Sequence, residues 1–200
     1  MLKSHFSKAV LENFYKSGRS MQGISHQLNC SIHKVVYWMD KYGIKRRSLS
    51  EAIYLNANPD GDPFKIKLKL SLRDRFLFGL GIGIYLGEGN KMSKTSLRVA
   101  NTDSRILKIF IKFLIKICGL KKHRISYSIV CFNDVDPSIA RDYWAKQLEV
   151  LPEKFGKITI IPHQGKGTYR RKSRFGVCTV SANNVKLRNW FIDQMEKIKI

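Results

Sequence analysis

Phe76-Leu-Phe-Gly-Leu-Gly-Ile-Gly-Ile-Tyr-Leu-Gly-Glu-Gly-Asn90 is an apolar helix pattern broken by regularly spaced glycines and closed by a single acid, Glu88. Gly79, Gly83 and Gly87 lie four apart, which places them near one face of a helix. Each costs about 1 kcal/mol relative to alanine. Close backbone approach to a second helix supplies the offsetting gain, as small residues do between membrane helices. The run from Phe76 to Gly87 is shorter than the roughly 20 apolar residues needed to span a bilayer. Arg73, Asp74, Arg75 and Glu88 bracket it, so a helix pair outside a membrane is expected, with no membrane partner.

The rest of the chain sets the context for that helix. Two hundred residues with 44% hydrophobic content are enough for a real core, either one medium domain or a small one beside a larger one. Lys+Arg number 37 against 15 Asp+Glu, a formal net charge of +22. Self-repulsion of that size is best tolerated beside a polyanion, and nucleic acid is the leading candidate. Cys30, Cys118, Cys131 and Cys178 are far apart, with neither a C-x-x-C pair nor a Cys/His zinc spacing, and read as reduced thiols. The N-terminal residues show no apolar signal region, so the expected location is cytoplasmic, nucleoid-associated in a prokaryote. No Ser-His-Asp, P-loop or zinc signature stands out.

The segment from Lys3 to Arg47 reads as three helices with two breaks, the first at Ser17-Gly18 and the second at Asn29-Cys30-Ser31. Ser20 and Ser31 are placed as N-caps, and Gly43 ends the third helix. This layout resembles the helix-turn-helix of resolvases and transposases, whose second helix enters the major groove. By that resemblance Ser31, His33, Lys34 and Tyr37 would face DNA, with Arg46 and Arg47 available to a flanking phosphate or minor groove. Between Ser48 and Pro63 the chain turns polar and carries Asn56-Ala-Asn-Pro-Asp-Gly-Asp-Pro63, a run of turn formers. The expected division is therefore 1–50 as a helix-turn-helix domain, 51–63 as a linker and 64–200 as the larger domain. Up to residue 63 there are nine Lys+Arg against five Asp+Glu, and 28 against 10 follow, so the larger domain holds most of the positive charge.

Beyond Glu88 the pattern alternates elements. Ser96–Asn101 reads as a strand, and Thr102 or Asp103 caps a helix that Gly119 stops. Arg124–Phe132 is a strand, Pro137–Leu148 a helix, Lys157–Pro162 and Arg174–Val180 two strands, and Asn184–Ile198 a last helix. The expected fold class is α+β: a three-helix domain, then a mixed α/β domain with about four strands in the order α-β-α-β-α-β-β-α.

The segment Gly81–Gly89, with its Gly-Glu-Gly ending, resembles the motif helix of LAGLIDADG homing endonucleases and their DNA-binding relatives. In that family two such helices pack through small residues, and each delivers an acid to a metal at the DNA backbone. The resemblance implies helix-pair contacts at Gly79, Gly83 and Gly87, and a metal-binding acid at Glu88 where the family usually has aspartate. It implies Mg²⁺ or another divalent cation, duplex DNA as partner, and a homodimer, because the chain holds one such motif and no second half. The family domain runs αββαββα, so the helix expected between the first two strands here is a departure. Hydrolysis of a phosphodiester needs a divalent ion to activate water, and hard carboxylate oxygens suit Mg²⁺. Lys91 and Lys94 follow Glu88 and would lie near the scissile phosphate, while the alternative is that they pair with it.

Other basic groups divide by location. Lys65, Lys67 and Lys69 alternate before the motif helix, and Lys121, Lys122 and Arg124 open a strand. Lys166, Arg170, Arg171, Lys172 and Arg174 sit in a basic stretch read as a phosphate-tracking hairpin tip. Trp144, Trp190, Tyr143, Phe191, Phe110 and Phe113 fall at helical spacings among aliphatic neighbours and read as core. The expectation is a site-specific DNA endonuclease, with a non-catalytic transcription regulator or an RNA-binding, maturase-like protein as the alternatives.

Overall fold

The computed structural model describes residues 6–156, 158–162 and 174–198. The chain divides into two compact units, Met1–Asp62 and Pro63–Ile200.

The first unit holds α1 (Lys8–Lys16), α2 (Met21–Gln27), α3 (Ile32–Lys41) and α4 (Leu49–Ala57). Ser7, Ser20 and Ser31 cap the first three, each side chain accepting the backbone N–H three residues on. Their apolar stripes meet in a small core of Leu11, Tyr15, Ile24, Val35 and Met39. The segment expected as a linker instead begins as α4. Ser48 and Glu51 form a reciprocal capping box, a helix-start signal that the polar composition of the stretch obscured. No residue of α4 is buried.

The second unit runs α5 (Leu72–Glu88), β1 (Leu97–Asn101), α6 (Ser104–Lys116), β2 (Ile125–Phe132), α7 (Pro137–Leu148), β3 (Thr159–Ile161), β4 (Val177–Ala182) and α8 (Val185–Glu196). The fold is α+β, with a mixed four-stranded sheet in the order β1-β4-β2-β3. β4 lies antiparallel to both β1 and β2, while β2 and β3 are parallel. β3 and β4 are not neighbours in the sheet, because β2 lies between them. A parallel pair needs a long crossover, and α7 provides it between β2 and β3.

Strict alternation along β1, β2 and β4 buries one side of the sheet. Val99, Ile129, Cys178 and Val180 are fully buried there, in one core with Phe110, Phe113, Trp144 and Phe191 from the helices. α6 ends as Gly119 adopts φ +61, where a side chain would strike the Lys65 backbone. The backbone N–H groups of Lys65 and Lys67 donate to the carbonyls of Cys118 and Ile117, fastening the chain ahead of α5 to the end of α6. α5 itself starts at a second capping box, Ser71 with Asp74.

Candidate nucleic-acid interface

The sheet leaves its other side open, and the strand register arranges that side in rows. Arg98, Ser181 and Ser126 form one row across β1, β4 and β2; Ala100, Thr179 and Ser128 form the next. Val177, Val130 and Thr159 form a third across β4, β2 and β3. Hydroxyl side chains, Ala100 and one guanidinium fill the first two rows, while Val177 and Val130 in the third and Phe132 with Ile161 beyond it are apolar. A shallow groove of about 510 Å³ is lined by Arg98, Ser128, Thr179, Ser181 and Asn183 from this side, together with Glu88 and Asn90.

Glu88 reaches the rim of that groove because of how α5 ends. It is the last residue of the helix, and the Gly89 N–H still donates to the Tyr85 carbonyl. Gly89 then bridges Val99 in antiparallel fashion, and the Asn90 N–H donates to the Arg98 carbonyl, so helix and strand join at the acid. Packing requires glycine at 89, since a side chain there would collide with the Tyr85 ring. Tyr85 is fully buried, and its hydroxyl donates to the Asn90 carbonyl at 3.1 Å.

Neither lysine neutralises the acid. Lys91 Nζ donates instead to the Leu86 carbonyl at 2.6 Å, capping the carboxyl end of α5, and Lys94 is exposed. Among the described residues Glu88 makes no ion pair and stands exposed beside the helix carbonyls, a position that favours a cation. The loop that follows is held by Arg188 of α8, whose Nε donates to the Ser93 carbonyl at 3.0 Å and Nη2 to the Lys91 carbonyl at 3.1 Å.

The glycines of α5 separate into two sets. Gly81 is buried, and a Cβ on it would collide with the Phe113 ring of α6. Gly79, Gly83 and Gly87 are exposed, and a Cβ on any of them would meet nothing within 4 Å. They share the uncovered side of the helix with Leu72, 84% exposed, Phe76, 70%, and Leu86, 47%. The only helix packed closely at a glycine of α5 among the described residues is α6, and it uses the other set.

In the first unit, His33, Lys34 and Tyr37 project from the exposed side of α3. The Ser31 hydroxyl is occupied as the cap, accepting the Lys34 N–H at 3.3 Å. Arg46 lies 3.7 Å from Asp40 in an exposed pair. Arg47 departs from expectation. Its guanidinium stacks over the Tyr15 ring at 3.9 Å and donates to the Arg19 carbonyl, while its backbone N–H donates to the Tyr15 hydroxyl, so it ties the unit together.

The trio Lys121, Lys122 and Arg124 is exposed, but Lys122 lines grooves beside α6 rather than the open-face groove. Lys166, Arg170, Arg171 and Lys172 lie outside the described residues. Arg174 is exposed, with its guanidinium 5.7 Å from the Phe175 ring centre. Arg98, Ser126, Ser128, Thr179, Ser181 and Arg188 were not singled out from the sequence. The outward phase of the alternating strands was the available signal for all but Arg188.

Burial pushes the Cys178 thiol up to about 12 and Cys118 higher still, so these two are packing groups rather than nucleophiles. Among the described residues no three His, Cys, Asp or Glu side chains gather as a metal cluster, and no helix is long and apolar enough to cross a membrane. No family model, curated protein or solved structure matches this chain.

Proposed function

We propose that this protein is a site-specific DNA-binding protein that pairs as a homodimer through α5 and cuts duplex DNA as a LAGLIDADG-type, metal-dependent endonuclease. The observation that carries the reading is the uncovered side of α5. Three exposed glycines cost the helix about 1 kcal/mol each against alanine, and nothing among the described residues offsets that. A second copy of α5 laid against them would, while covering Leu72, Phe76 and Leu86. The same pairing brings two Glu88 carboxylates to the junction of two open sheet faces.

DNA is the partner that the charge and the open face favour. Arg98 and the hydroxyls of Ser126, Ser128, Thr179 and Ser181 provide donors for phosphates and base edges along the open face. In the first unit α2, the four-residue turn and α3 act as a helix-turn-helix, with His33, Lys34 and Tyr37 at the major groove. Arg47 is withdrawn from that set by its bonds to Tyr15 and Arg19.

A divalent ion suits the donor chemistry. Mg²⁺ is commonly held by one or two carboxylates with water and substrate phosphate completing the shell, and each chain supplies one exposed carboxylate, Glu88. The ion, when bound, activates water and holds charge on the leaving oxygen. Lys94 offers a cation to the phosphate, Lys91 stabilises the end of the helix that presents the acid, and Arg188 fixes the loop that carries both lysines.

The test is to incubate the protein with Mg²⁺ and DNA from its source and to sequence the new strand ends, with Glu88→Gln alongside. Recurrent ends that vanish in the variant, with duplex binding intact, are expected. Binding without any ends leaves a DNA-binding regulator, and preference for structured RNA at matched salt replaces DNA with RNA as the partner.

A further inference from the structure

The outer side of α6 carries a cationic surface that neither the open sheet face nor Glu88 uses. Lys108, Lys112 and Lys116 recur every fourth residue and are exposed, each about 6 Å beyond the last at 1.5 Å of rise per residue. The opposite side of the helix, with Leu107, Phe110 and Leu114, is fully buried in the core beneath the sheet. Lys122, from the 3-10 turn Lys122–Arg124, joins the three lysines around a groove of about 400 Å³ floored by Ile111, Ile115 and Leu148. One carboxylate enters it: Glu149, 3.1 Å from Lys108. Lys112, Lys116 and Lys122 make no ion pair with any described acid. Like charges at i and i+4 disfavour a helix, so a run of lysines without acid partners gains most from an external polyanion.

We infer that this side of α6 is a second binding surface for a nucleic-acid phosphate backbone, contacted by Lys112, Lys116 and Lys122. The inference rests on the proposed function only in taking nucleic acid as the polyanion. A duplex lying on the open sheet face does not reach it. The sheet and the full width of α6 intervene, on the order of 15–20 Å. The surface therefore takes a separate segment, either a second stretch of DNA or a folded RNA. Three cations without acid partners favour the high charge density of a phosphate backbone, about one charge per 1.7 Å of duplex axis, over an acidic peptide.

The test is amine-reactive labelling of the full chain read by mass spectrometry, with excess duplex DNA, a structured RNA or polyglutamate added in separate arms. Several-fold loss of labelling at Lys112, Lys116 and Lys122 in a nucleic-acid arm is expected, and the arm that protects them names the source. In that arm, the double variant Lys112→Gln/Lys116→Gln is expected to flatten the slope of log K against log salt by about two, near one for each phosphate no longer neutralised. Unchanged labelling of these lysines while Lys94 becomes protected overturns the second surface and leaves the proposed function standing. Absence of protection at Lys94 as well removes both. Protection by polyglutamate alone overturns nucleic acid in favour of an acidic protein.

Discussion

The two sides of α5 use glycine for opposite ends. On the inner side Leu77, Gly81, Ile82 and Tyr85 are buried, and Gly81 exists because the Phe113 ring occupies the space its side chain would need. On the outer side Gly79, Gly83 and Gly87 face open space beside uncovered Leu72, Phe76 and Leu86. One glycine is accounted for by a neighbour in the chain, and three are not. The contrast separates a packing requirement already met from one that a second molecule would meet.

Removing the inner packing gives the largest effect. Phe113→Ala takes a fully buried ring from between α5 and α8 and is expected to cost about 3–5 kcal/mol in chemical denaturation. Gly81→Ala keeps the ring but overpacks it, and about 1–3 kcal/mol of destabilisation is expected in the same assay. An unchanged midpoint would mean that α5 and α6 separate at little cost.

The outer side should respond with the other sign. Gly83→Ala is expected to stabilise the monomer, measured at a concentration below that of dimerisation, by about 0.5–1 kcal/mol, since alanine is the better helix former and meets no described residue of its own chain, and to weaken the dimer. A bulkier Gly83→Leu should shift the protein from dimer to monomer in sedimentation while the monomer stays folded. A dimer indifferent to both changes would place the pairing surface elsewhere.

The smallest effect concerns how α5 begins. The Lys67 ammonium first, and then the Ser71 hydroxyl and backbone N–H, hold the Asp74 carboxyl at about 2, below its ordinary 3.8. A carboxyl lowered by folding stabilises the folded state above its unfolded value, and that gain is lost as pH falls from there towards 2. Asp74→Asn should therefore be less stable than the parent at neutral pH and equal to it near pH 2, as read by urea midpoints across that range. A constant gap at all pH would assign the residue's role to shape rather than charge.

Much of this molecule was legible along the chain because its signals are local. Serines at 20 and 31, the alternation of Arg124–Phe132, and the aromatic spacing around Phe110 and Phe113 each depend on residues within a few positions. The open face was not legible, since Arg98, Ser181 and Ser126 become one row only when β4 inserts between β1 and β2. Lys122 looked like part of a strand-end cluster with Lys121 and Arg124, yet it lines a groove with residues of α6 and α7. Arg47 read as a free cation until the fold placed Tyr15 beneath it.

By itself the sequence determined the helix that ends in Glu88, the Ser20 and Ser31 caps, the strands' inward and outward phases, and an excess of positive charge. Each follows from the period of a helix or strand and from composition, which need no partner. Only the tertiary structure decided which glycine of α5 is packed, which strand lies between which, and which cations stand together. Those outcomes depend on elements far apart in the chain being brought together by burial of one shared core, and no local pattern records that pairing.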